Sequence, residues 1–318
     1  MRKILVLVAL MGGLFGLPMA SSAAPTVVVS ILPIHSLVAG VMQGVGVPAL
    51  LVPVGASPHT YAMKPSDARH LQDAQVVVWV GEHLENYLEK PLESLAGRAK
   101  IIEVSAISGL TLWPTRKGGT FEAHHHAHDH GHSHAKGKKG SPPPSEPDMH
   151  LWLDPDNAKL IVQHVAAQLS AADPENAQAY AENARKMEAR LGALDNDIKA
   201  RLATVQDRAY IVFHDAYQYF ERHFGTRIAG SITVSPDQSP SAKRLTELRQ
   251  RMRKTSTVCV FREPQFPAPI IDSLISGTGV RSGVLDPEGA DLTPGPDAYF
   301  TLMDRIADSL VGCLKPEA

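Results

Sequence analysis

The chain has 318 residues, with 31 Lys and Arg against 33 Asp and Glu, a formal net charge of −2. So even a balance excludes a strongly basic surface for nucleic acid, and the length allows two domains of ordinary size. With only two cysteines, a metal site in this chain must rest on histidine and carboxylate rather than on a thiolate cage.

Met1, Arg2 and Lys3 form a positive start, an apolar run fills 4–17, and Ser21, Ser22, Ala23 and Ala24 supply small residues for cleavage. This is the pattern of a secretory signal peptide over 1–23. The apolar run is too short to span a bilayer, and no later stretch is long enough. No cysteine precedes Cys259 to carry a lipid, so the expectation is an exported, unanchored protein of a bacterial periplasm. An oxidising compartment favours pairing of Cys259 with Cys313; the alternative is two separate buried thiols.

From residue 24 onward, short β-branched runs alternate with amphipathic segments. Strands are predicted at 27–31, 49–52, 76–80 and 100–104, with helices at 35–42, from about Pro65, and at 85–95. Ser66 and Asp67 place capping or acidic oxygens in the first turn of the second helix. Periodicity then vanishes from about 105 to 148, with a His-rich loop expected at about 115–148. Within it, HHHAHDHGHSH places His124, His125, His126, His128, His130, His132 and His134 in eleven residues. A short tract of this composition reads as metal binding, and imidazole suits zinc, copper and nickel better than calcium or magnesium.

A helix is predicted at 157–170, and Asp173-Pro174 opens a longer one to about Ala203, roughly 45 Å at 1.5 Å per residue. Its Ala184, Met187, Leu191, Leu194 and Ile198 recur at spacings of three and four, an apolar stripe. A second alternating block follows, with strands at 210–213, 228–231, 258–261 and 279–285 and helices at 216–224, 241–254, 267–275 and 299–314. The expected fold class is α/β: two lobes with mainly parallel sheets flanked by helices, joined by one long rigid helix. The expected divisions are an N-terminal lobe at 24–172, a linking helix at 173–204 and a C-terminal lobe at 205–318.

Ligands of open parallel sheets bind outside the carboxyl ends of the strands. That rule selects His59 after the second strand, His150 after the loop, His214 after the strand at 210–213 and Asp286 after the strand at 279–285. Three neutral imidazoles plus an oxygen form a common zinc environment. His70 and His164 lie within predicted helices and His223 near a helix end, and each reads as a surface or capping residue rather than a ligand. A secreted zinc hydrolase would use the same three histidines around a metal-bound water, but no general base at helix spacing, such as the Glu of HExxH, is present. A third reading makes the tract a zinc store or sensor on an inert scaffold.

The phrases GASPHTYAMKPSD (55–67), HLWLDP (150–155), FHDAYQYF (213–220), FREPQF (261–266) and LDP (285–287) resemble, in order, the metal-binding solute-receptor family of ABC importers, and within it the zinc branch. The resemblance implies two lobes joined by one long helix, and a single Zn2+ held in the cleft by His59, His150 and His214. Asp286 or water would supply a fourth oxygen, with Asp286 either a direct ligand or a carboxylate orienting a ligand or water. It also implies a Cys259–Cys313 disulfide, a non-enzymatic monomer, and delivery of zinc to an ABC membrane permease. The His-rich insertion is itself a mark of that branch, an accessory of lower affinity.

Overall fold

The computed structural model describes residues 24–116, 121, 146–233, 240–266 and 269–316. The predicted signal peptide and the histidine tract lie outside the described residues. The described residues form two four-stranded, wholly parallel sheets. The first contains β1 (Val27–Val29), β2 (Ala49–Leu50), β3 (Val76–Trp79) and β4 (Lys100–Glu103), in the order β2-β1-β3-β4. The second contains β5 (Ala209–Val212), β6 (Arg227–Ser231), β7 (Cys259–Arg262) and β8 (Arg281–Val284), in the order β6-β5-β7-β8. The two orders are the same, so β1 and β5 each stand where the chain reverses direction across the sheet. Such a switch point opens a crevice at the strands' carboxyl ends.

The valine runs of β1 and β3 are buried throughout, as expected of parallel strands covered on both faces. Helices α1 (Leu32–Val41), α2 (Pro65–Asp73) and α3 (Glu89–Leu95) serve the first sheet. Every residue of α1 is buried, the behaviour of a helix that is apolar all round. It begins three residues before the predicted start, because Pro33 fits the first turn, where its missing N–H costs nothing. The predicted 85–95 helix divides into a 3-10 turn, Asn86–Leu88, and α3, with Glu85 buried ahead of both.

Between the sheets lie α4 (Pro155–Ala172) and α5 (Ala177–Leu202), separated by a 3-10 turn at Pro174–Asn176. The predicted Asp173 cap takes another form: its carboxylate accepts from Asn176 and from the Tyr180 hydroxyl. The predicted stripe is buried, and Tyr180 and Leu202 extend it. Gly40 of α1 meets α5 so closely that an added Cβ would stand 2.4 Å from the Met187 sulfur.

Helices α6 (Gln218–Phe224), α7 (Ala242–Thr255), α8 (Pro269–Ile275) and α9 (Ala298–Leu314) flank the second sheet. One apolar core runs without a break from Val29 through Trp152 and Leu191 to Tyr210 and Tyr299, and smaller cores lie on the outer face of each sheet. Polar bonds tie the halves together: the Tyr299 N–H donates to Ser36 Oγ at 2.8 Å, and Trp152 Nε1 donates to the Pro287 carbonyl at 2.9 Å. Cys259 and Cys313 form a disulfide that fastens α9 to β7. Among the described residues, no helix is long and apolar enough to cross a membrane.

Candidate metal centre

His214 lies two residues beyond β5, at the switch point of the second sheet. His59 sits in the loop after β2, its N–H donating to Ser57 Oγ. His150 ends the segment leading into the 3-10 turn Leu151–Leu153, and its ring lies 5.3 Å from that of Trp152. The three imidazoles converge, with ring centroids 5.2 to 5.6 Å apart and one ligand atom of each within 4.8 Å of the others. His150 and His214 are 6% and 2% exposed.

A carboxylate orients each of these two rings. Asp148 Oδ1 stands 2.8 Å from His150 Nδ1, and both oxygens of Glu263 stand 2.7 Å from His214 Nδ1. Burial raises the Asp148 carboxyl, but its bonds with His150 prevail and hold it below the usual carboxylate range. Burial alone would depress the His214 pKa; the charge and hydrogen bond of Glu263 outweigh this and raise it. An Nδ1–H facing a carboxylate makes Nε2 of a neutral ring a lone-pair atom. Yet the two Nε2 atoms face each other at 3.3 Å. Two such lone pairs repel unless a cation lies between them. Nitrogens bound at about 2.0–2.1 Å to a tetrahedral zinc stand about 3.3–3.4 Å apart. The separation therefore fits that ion.

Asp286 is placed differently from the three histidines. Its Oδ1 accepts from Gln265 Nε2 and from the Glu288 and Gly289 N–H groups, and its Oδ2 from the Ala290 N–H. It shapes the 286–290 loop and is not in the set of mutually close ligand atoms. The seven tract histidines, 124–134, lie outside the described residues.

Sequence reasoning missed Asp148 and Glu263. The first had a faint signal, an acid two residues before a candidate ligand. The second had no local signal, because tertiary pairing places it. β5 and β7 run parallel with Tyr210 opposite Cys259, an offset of 49 residues, and the same offset carries His214 to Glu263. His223 also differs from its predicted surface or capping role: its side chain is 8% exposed and held from both ends, Nδ1 by Asp154 at 2.9 Å and Nε2 by Asp195 at 2.7 Å.

The model of the family described as "zinc-uptake complex component A, periplasmic" matches residues 27–313. The chain belongs to that family. The family is one of solute-binding transport proteins and not of enzymes. A high-affinity zinc uptake system protein ZnuA of Brucella suis is 44% identical over 305 residues, covering 91% of each chain. A protein of the same name from Yersinia pestis is 37% identical over 299 residues, covering 92% of each. A crystal structure of ZnuA superposes with a TM-score of 0.75 at 24% identity, over 92% of this chain and all of that one, which supports the fold.

Proposed function

We propose that this zinc-uptake component captures one Zn2+ between its lobes through His59, His150 and His214, and presents the ion to an ABC membrane permease. The observation that carries the reading is the pair of facing Nε2 atoms 3.3 Å apart, each on a ring oriented by a carboxylate. Imidazole ligands favour zinc over manganese, which is better served by oxygen donors. Water completes the tetrahedron, and Asp286 acts from the neighbouring loop. Residues 1–23 direct export to the periplasm, where the chain works as an unlipidated monomer without nucleic acid. The histidine tract takes further zinc more weakly than the preassembled three-histidine site.

Calorimetric titration of zinc into the wild type and a His59→Ala/His150→Ala/His214→Ala variant tests this. The variant is expected to lose the highest-affinity event and keep the weaker ones. Survival of the tight event in the variant would place the primary site elsewhere.

A further inference from the structure

The residues on either side of the His-rich insertion form a paired stem. The Thr115 N–H donates to the Glu146 carbonyl, the Asp148 N–H donates to the Trp113 carbonyl, and Pro114 bridges Pro147 in antiparallel fashion. One strand of this stem ends at Asp148, which orients His150; Asp148 Oδ1 also accepts from the His150 N–H at 3.0 Å. The stem lies against α6, the helix that follows His214. Gln218 Nε2 donates both to the Pro114 carbonyl and to Asp148 Oδ2, and the Tyr219 hydroxyl donates to the Asp148 carbonyl at 2.7 Å.

The charged member of this contact is Arg116. Its Nε lies 2.9 and 3.1 Å from the two oxygens of Asp215, the residue after His214, and its Nη2 also donates to Asp215. Nη1 donates to Glu221 of α6. Glu221 is itself held by the Ile228 N–H at 2.7 Å, and the guanidinium packs over the Phe121 ring at 3.9 Å. The Arg116 side chain is only 17% exposed, and those of its acidic partners 9% and 18%. A planar guanidinium gripping two preset carboxylates has little rotational freedom.

We infer that Arg116 is a positioning residue for the metal centre: by clasping the insertion stem to Asp215 and Glu221, it sets the gap between His150 and His214. The stem is thus part of the binding machinery, whatever the tract beyond it does. The inference rests on the three-histidine reading. It deepens that reading by naming what holds two ligands from different lobes at zinc spacing, since neither ligand's own strand or turn can do so alone.

The test uses the full chain and Co2+, whose visible absorption reports tetrahedral geometry, together with the rate of zinc release to a chelator. Arg116→Gln is expected to weaken the tetrahedral cobalt band and speed zinc release by about tenfold to a hundredfold, the range seen when supports of metal ligands are lost. Arg116→Lys, which keeps the charge without the fork, should fall between the two. Arg116→Gln leaves two buried acids uncompensated, so Arg116→Gln/Asp215→Asn/Glu221→Gln is the second variant, and its result stands if the single variant does not fold. A wild-type cobalt spectrum and release rate in the folded variant would overturn the inference. His214→Ala serves as the reference: if it too kept the tight site, the three-histidine reading would fail, which is a different outcome from Arg116 alone proving silent.

Discussion

Glu263 grips His214 with both carboxylate oxygens, each 2.7 Å from Nδ1, although 49 residues separate them. The contact fixes the tautomer that presents Nε2 to the cluster and makes that nitrogen a better donor to a metal. Outer carboxylates of this kind are worth about 10–100-fold in metal affinity. Glu263→Ala is expected to weaken zinc binding by that factor while the tight event keeps its stoichiometry. Competition with a chromophoric chelator measures it, and an unchanged affinity would remove Glu263 from the site.

His223 joins Asp154, just ahead of α4, to Asp195 of α5, and these acids raise its pKa although burial alone would lower it. A histidine whose folded pKa lies above the unfolded value of about 6.5 contributes stability that is complete below that pH. The contribution is lost as pH rises through the folded value. His223→Gln is therefore expected to lower the Tm most at pH 5.5–6, with the deficit shrinking toward pH 9. Melting curves of the metal-free proteins across that range check it; a deficit independent of pH would mean that the proton does not matter.

Glu85 has the opposite character. It is fully buried at the end of β3, accepting from the Val80 and Gly81 N–H groups, and burial pushes its carboxyl up to about 7. Hydrogen bonds from the backbone and Ser30 oppose that shift, and the nearby Glu103 adds to it. The folded state thus binds a proton that the unfolded chain has released, and stability falls as pH rises from the ordinary glutamate range through about 7. Glu85→Gln, neutral at every pH, should gain in Tm over the wild type between pH 5 and pH 8. An equal difference at both ends would refute this.

The Cys259–Cys313 bridge closes a loop with a sequence separation of 54. In the chain-entropy model such a closure stabilises by about 4 kcal/mol. Cys259→Ser/Cys313→Ser should lose a comparable amount in denaturant unfolding, with zinc affinity changed little because the bond lies at α9, away from the histidines. A large loss of affinity without a loss of stability would reverse that assignment.

The succession of valine runs and amphipathic stretches was enough, by itself, to read two parallel α/β units and a long helix between them, because periodicity and β-branching report which faces are buried. The same local pattern put His59, His150 and His214 at strand ends or the edges of loops, and so into one list of ligands. It also put Asp286 there, since position after a strand says nothing about which amides the carboxylate will meet. The ends of elements shifted where a side chain or a proline decided them, as at Pro33 and Glu85. What holds these candidate ligands in place is decided in three dimensions. Glu263 reaches His214 through the register of β5 and β7, and Arg116 reaches Asp215 across 99 residues of chain. Sequence periodicity records how a residue faces its own element; which distant residue stands opposite is set by sheet order and lobe packing, and there the candidate metal centre acquires its geometry.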